Sequence, residues 1–257
     1  MDQSYELYAV YRLIQRYDYD GATEILENIL HLQNTSFYTL VLSCQRAVNF
    51  NFLEAKKLTD LIPQSVSSAY PSIHTYIQEL PLLIKGDPHP IFNELMDQLV
   101  IQLEREAYTD FLGRIFQLRE LLYKYAVIEF KLRQEYSLRD RIYQKKAFEH
   151  QFKIYRGLLN GIKEILIQGG GRWKKIVDVL SGKKMGDLMD IRHRTIVAHG
   201  IETATLNDIE RIYGSTEEIL EDLARVFQWL NIPMRNHKYK AINLDLEKMF
   251  TSLAKDT

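Results

Sequence analysis

The sequence predicts an all-α protein, and three observations carry that prediction. Apolar residues recur at three- and four-residue intervals through most of the chain, helix-starting and helix-stopping residues bracket those stretches, and no segment alternates apolar and polar residues between hairpin turns. The architecture expected is a helical bundle over residues 87–257, preceded by a smaller helical-hairpin segment over residues 1–86. A chain of 257 residues can bury a substantial core, and its 46% hydrophobic content is ordinary for a globular protein.

The first third reads as short helices. Tyr5–Arg16 places Leu7, Val10, Tyr11, Leu13 and Ile14 at helical spacing, and Ala22–Leu30 does the same with Ile25, Leu26, Ile29 and Leu30. The string Tyr17-Asp18-Tyr19-Asp20-Gly21-Ala22 between them recurs as Phe50-Asn51-Phe52-Leu53-Glu54-Ala55, an offset of 33 residues (50 − 17). Each copy follows one predicted helix and opens another, as in helix-hairpin repeats of about 34 residues. Two copies fall short of the three or so that a solenoid needs, so the pair is read as a helical scaffold in preference to a peptide-binding groove.

Pro63, Pro71, Pro81, Pro88 and Pro90 follow, five of the six prolines in the chain, and they argue against continuous long helices there. Tyr76–Ile84 remains a candidate short helix, and the Gly86-Asp87-Pro88-His89-Pro90 turn is the best single boundary. Beyond it, Ile91–Glu106 and Ala107–Leu132 read as long helices with wide apolar faces. Leu138–Gln151 reads as a charged helical continuation, and Phe152–Ile167 as an apolar helix stopped by Gly169-Gly170-Gly171. Trp173–Leu180 is a short helix closed by Ser181-Gly182. The next helix is expected to start with Asp187 as its N-cap and to end at Gly200. Ser215 and Glu218 have capping-box spacing before a helix running to about Leu230, and Leu244–Leu253 completes the chain.

Composition excludes several classes of function. The net charge of −1 rules out a general polycation, so any nucleic-acid contact is expected to be local. Cys44 is the only cysteine, which excludes an internal disulfide or a thiolate metal cage and fits a reducing, cytoplasmic compartment. The sequence Met1-Asp2-Gln3-Ser4-Tyr5-Glu6 does not resemble a secretory signal, and no apolar run approaches the roughly 20 residues that span a bilayer. The seven histidines are scattered without a HExxH or knuckle spacing, so no metal or other cofactor is expected, and no phosphate-binding GxxxxGKS/T loop is present. Gly169-Gly170-Gly171 with Arg172, Lys174 and Lys175 offers a phosphate cradle, but a helix stop with a solvated basic rim is the preferred reading. Glu120, on the long helix after Pro90, offers a carboxylate to orient an active-site arginine, but an exposed helical carboxylate is the preferred reading.

The densest group of proton-transferring and phosphate-complementing side chains is Asp190-Ile191-Arg192-His193-Arg194-Thr195-Ile196-Val197-Ala198-His199-Gly200. On a continuous helix Arg192 and His199, seven residues apart, share a face to within about 20°, whereas Arg194 and His199 diverge by about 140°. Spacing therefore selects Arg192 as the partner of His199. The small residues Ala198 and Gly200 permit close approach at His199, and an imidazole at a helix C-terminus is biased towards its protonated form.

Arg192-His193-Arg194-Thr195-Ile196-Val197-Ala198-His199-Gly200 resembles the Arg-polar-x-Ser/Thr-x-x-Ala-His-Gly signature of HEPN ribonucleases. It is most similar to the form in the accessory ribonucleases of type III-A CRISPR systems (the Csm group). The resemblance extends over roughly residues 90–257. It implies a HEPN-like bundle and a homodimer that cleaves single-stranded RNA without metal, in antiviral defence, at a composite site between two protomers. It also implies 2′,3′-cyclic phosphate and 5′-OH products. By position, Arg192 and His199 match the catalytic arginine and histidine. His193 stands where that signature usually has Asn, and with Arg194 it is a candidate for catalytic support or phosphate contact. Relatives in that group carry a Rossmann-like sensor of cyclic oligoadenylate. No βαβ alternation is visible in these 257 residues, so such control is expected only through a domain outside them. The alternative reading is a non-catalytic HEPN-like protein that binds RNA, a nucleotide or a protein partner.

Overall fold

The computed structural model describes residues 3–131, 158–196, 198 and 200–253. The described residues are helical with no strand; one isolated parallel bridge joins Thr195 to Glu202. They fall into two compact units, one formed by residues 3–85 and 236–253 and the other by residues 86–235. This corrects the expected C-terminal limit of the bundle, because residues from 236 onward belong with the first unit. The physical reason is a set of polar and aromatic contacts: Tyr11 donates to Glu247 at 2.8 Å, Asn243 joins Tyr19 to the Ile14 carbonyl, and Phe250 packs on Tyr11 and Phe37.

The first unit contains α1 (Gln3–Gln15), α2 (Tyr19–Leu26), α3 (Ser36–Val48), α4 (Phe52–Thr59), α5 (Gln64–Ala69), α6 (Pro71–Lys85) and, at the far end of the chain, α14 (Lys238–Leu253). The 33-residue echo is a repeated local structure. Tyr17 and Phe50 both adopt left-handed backbone, with φ 58° and 59°. The amides that follow, of Asp18 and Asn51, each bond back five residues, to Leu13 and Arg46, closing the preceding helix in a Schellman-type turn. The same Asp18 and Asn51 then cap the next helix by accepting from Gly21 and Glu54 amides. Contrary to the expectation from the prolines, α6 runs 15 residues with Pro81 inside it. Pro81 removes the amide that would bond to Ile77 and crowds the Ile77 carbonyl with its ring, and the helix continues with Ile73, Tyr76, Leu80 and Leu83 buried.

The second unit contains α7 (Pro88–Glu104), α8 (Tyr108–Lys131), α9 (Leu158–Gln168), α10 (Gly171–Ser181), α11 (Lys183–Arg194), α12 (Leu206–Tyr213) and α13 (Thr216–Trp229). The expected helix Leu138–Gln151 and the start of the expected Phe152–Ile167 lie outside the described residues. Helix α8 is the axis of this unit and buries Phe111, Leu112, Ile115, Leu118, Leu121 and Leu122. Its partner α7 buries Glu94 and Asp97 as well as apolar residues, and Arg235 reaches Asp97 at 3.0 Å and Glu94 at 3.9 Å. Ser215 caps α13 through the Glu218 amide, as the spacing indicates. Among the described residues no helix is long and apolar enough to cross a membrane.

Candidate functional site

Helix α11 brings Arg192 to the flank of α8, but it does not carry the motif to its end. The helix starts at Lys183, with Gly182 and not Asp187 at the N-cap, and stops at Arg194; Thr195 is extended, with φ −88° and ψ 162°. The expectation that Arg192 and His199 share one helical face is therefore corrected, because the helix ends before the second residue is reached. The last turn closes on itself, with the Thr195 amide bonded to the Arg192 carbonyl. The chain then closes a compact loop. Glu202 donates its amide to the Arg194 carbonyl at 3.1 Å, and Ile196 donates to the Glu202 carbonyl at 3.3 Å. Ala198 and Gly200 both donate to the Thr195 carbonyl at 3.1 Å.

Gly200 is thus a loop-closing residue and not the expected helix terminator. A Cβ on it would lie 1.7 Å from the Arg194 carbonyl oxygen, so only glycine allows the two backbones to approach. Thr195 is buried, and its amide and hydroxyl both bond to the Arg192 carbonyl, at 3.0 and 2.7 Å. Past the loop, Ala204 donates to the Thr109 hydroxyl at 2.9 Å, fixing the returning chain to the start of α8.

The Arg192 guanidinium carbon lies 3.9 Å from the centre of the Phe116 ring, a cation–π contact at close range. Its Nε is buried and has no hydrogen-bond partner. Burial pulls the Arg192 pKa below its usual value, and the charge of Glu120 acts in the opposite direction. The group stays cationic throughout, as arginine does in proteins. Glu120 lies one turn along α8 from Phe116, half-buried, and is ion-paired with Lys124. It is therefore neither isolated nor fully exposed. Arg194 faces solvent and meets Glu202 at 3.8 Å across the neck of the loop, an exposed pair of small energetic value. His193 is exposed in the last turn of α11. His199 lies outside the described residues.

The structure thus brings Arg192 together with Phe116 and Glu120, and sets Arg194 apart from them in a pair with Glu202. Phe116 is the member that the sequence did not single out. Its only signal was a position one turn before Glu120, and nothing local marked it as the seat of a side chain 76 residues away (192 − 116). Among the described residues no group of three His, Cys, Asp or Glu side chains is arranged to hold a metal ion. No protein-family model matches the chain, and no curated protein matches its sequence. The functional reading therefore has to stand on residue chemistry and on this geometry.

Proposed function

We propose that the protein is a metal-independent endoribonuclease of the HEPN type that cleaves single-stranded RNA with Arg192 and His199 and acts as a homodimer in the cytoplasm, in CRISPR-associated antiviral defence. The observation that carries the reading is the state of Arg192. A permanent cation is held against an aromatic ring with its Nε buried and unpartnered, at the root of the loop whose sequence includes His199. A buried donor left unsatisfied costs about 1–3 kcal/mol, more when charged, so Arg192 is not held in place by a full set of protein hydrogen bonds, and its half-exposed guanidinium keeps capacity for an anion.

In the proposed reaction the RNA 2′-OH attacks the adjacent phosphorus and the P–O5′ bond breaks. The products are a 2′,3′-cyclic phosphate and a 5′-OH; the proton lost from the 2′-oxygen and the one gained by the 5′-oxygen balance. His199 assists proton transfer, and Arg192 stabilises charge on the non-bridging oxygens. His193 and Arg194, exposed at the same helix end, are assigned to phosphate contact. Two exposed isoleucines, Ile196 at 73% and Ile201 at 95% of full exposure, bracket His199 in the sequence. Apolar side chains in that position favour coverage by a second copy, which by two-fold symmetry doubles the same patch.

The test is cleavage of a labelled single-stranded RNA in EDTA by wild type, Arg192→Ala and His199→Ala, with mass analysis of the ends. The expected result is cyclic phosphate from wild type and background from both variants. A double variant that cuts as well as wild type rejects the assignment. The end of α11 at Arg194 favours a second reading, because it removes the shared helical face. In that reading the protein binds RNA, a nucleotide or a protein partner without cutting, and wild type gives no cyclic phosphate.

A further inference from the structure

Phe116, Tyr123 and Phe130 on α8 are spaced by seven residues, so they recur on nearly one face, drifting by about 20° per step. Over the 14 residues from Phe116 to Phe130 the helix rises about 21 Å. Each of these rings carries cations. Arg192 of α11 lies over Phe116 at 3.9 Å, Arg119 and Lys163 of α9 lie over Tyr123 at 5.7 and 5.9 Å, and Lys131 lies over Phe130 at 4.8 Å. At the far end Phe130 packs against Trp173 of α10 with ring centres 5.2 Å apart, and the Arg172 guanidinium covers Trp173 at 4.5 Å. The series of rings and cations therefore runs from the candidate catalytic arginine to an exposed guanidinium at the start of α10.

The positive charge of this face is only partly compensated. Lys163 is pushed below its usual pKa by burial and then by the Arg119 charge, while Asp178 places a negative charge near Tyr123. Glu120, the acid nearest Arg192 on α8, is already engaged by Lys124. At the Trp173 end Arg172, Lys174 and Lys175 are exposed, and the first turn of α10 has no side-chain cap. Among the described residues nothing lies within 4 Å of where a Cβ would stand on Gly170 or Gly171.

We propose that single-stranded RNA is gripped at the exposed Trp173 end of this series, with a base stacked on the outer side of the Arg172 guanidinium, over Trp173 and Phe130, and with phosphates on Lys174 and Lys175; the middle of the series, at Tyr123 and Arg119, is buried inside the unit. Sequence-tolerant single-strand binding needs these two elements together, a planar surface for a base and cations along the backbone, and a guanidinium plane serves as a stacking surface for a base. The inference rests on the reading of Arg192 as the cleavage residue, since it assigns a second surface of the same unit to substrate grip.

The test separates binding from cleavage. The full-length protein is titrated with a fluorescein-labelled 12-nucleotide single-stranded RNA, and anisotropy is followed at several salt concentrations. The combined variant Arg172→Ala, Lys174→Ala, Lys175→Ala changes only exposed side chains, and a melting curve confirms that it folds. Expected is at least a tenfold weaker affinity and a fall of about 1.4 in the slope of log K against log salt, two phosphates at about 0.7 each. In a Trp229→Phe background Trp173 is the only indole in the chain, and unlabelled RNA should quench it. Arg172→Lys should keep most of the salt slope and lose most of the quenching. Unchanged affinity of the triple variant overturns the proposal, as does tight binding without quenching, or duplex RNA bound as tightly as single strands. Loss bearing instead on vesicles of anionic lipid, with no RNA binding, overturns it as well. If the triple variant loses RNA binding while wild type never yields cyclic phosphate, the RNA face stands and the ribonuclease reading fails.

Discussion

Lys238 in the first unit and Arg192 in the second are both held against aromatic rings, and their surroundings differ in kind. Lys238 lies over Tyr76 and Tyr239 at 5.6 and 4.9 Å and meets the Glu79 carboxylate at 3.0 Å, with both side chains largely buried. Arg192 lies closer to its ring, at 3.9 Å, yet its Nε makes no hydrogen bond, and its nearest acid on α8 is shared with Lys124. The same contrast holds among neutral groups. Ser43 in the first unit bonds both the Ala55 carbonyl at 3.0 Å and the Tyr76 hydroxyl at 2.7 Å, tying three helices together. The unpartnered buried atoms Thr23 Oγ1 and Gln45 Oε1 of that unit are uncharged. A satisfied buried cation holds a fold together, whereas an unsatisfied one needs a further reason to be there.

The largest effect expected from this contrast is at Arg192. Arg192→Ala should lower RNA cleavage by about 10²–10³-fold, the range for removing one donor to a developing oxyanion. It should change thermal stability by no more than about 1 kcal/mol, because the lost cation–π contact is partly offset by removal of an unsatisfied donor. Cleavage rates and a denaturant titration on the same sample check both halves. A large loss of stability would make Arg192 a structural residue like Lys238.

The converse variant is Glu79→Ala. Removing one member of a largely buried pair leaves an uncompensated charge, at a cost of about 3 kcal/mol, in the range seen for broken buried pairs. A urea titration should show a lowered midpoint, while cleavage per folded molecule stays at the wild-type rate. Comparable loss of activity in the folded fraction would show that the first unit takes part in the chemistry.

Third in size is Gly200→Ala. The added Cβ cannot coexist with the Arg194 carbonyl 1.7 Å away, so the loop must open at its neck. Displacements of about 1 Å in an active site cost roughly 10²-fold, and that is the loss expected in cleavage, with the helices intact by circular dichroism. Wild-type cleavage by Gly200→Ala would remove the closed loop from the mechanism.

How far the sequence revealed these differences depended on how local their causes are. The turns at Tyr17 and Phe50 were legible as a 33-residue echo because an Asp or Asn cap and the preceding helix end are set within a few residues. Ser215 was legible for the same reason. The end of α11 was not, because Arg192 to Gly200 contains neither an internal glycine nor a proline. The loop itself depends on Glu202 returning to Arg194, and the seat of Arg192 on Phe116 depends on a neighbour far away in sequence. Nor does any local pattern in the final helix say that it joins the first unit, since amphipathic spacing reports a buried face without naming what covers it.

The smallest effect concerns the chain just beyond the loop, where Thr205 and Asp208 form a reciprocal capping box at the start of α12. The Asp208 carboxyl is held below its usual pKa, first by the Thr205 hydroxyl and next by the Thr205 amide. A depressed carboxylate pKa stabilises the folded state at pH values above the unfolded carboxylate range, and that contribution fades as pH falls towards the lowered folded value. Thr205→Ala should therefore cost about 1 kcal/mol at neutral pH, as loss of a helix cap does. The difference from wild type should shrink in acid, as protonation of Asp208 weakens the box in the wild type too. Urea midpoints at pH 7 and pH 3 measure this directly. A difference that grows in acid would contradict the sign, and a cleavage loss beyond tenfold at pH 7 would place the cap, and not only the loop, among the elements that position Arg192.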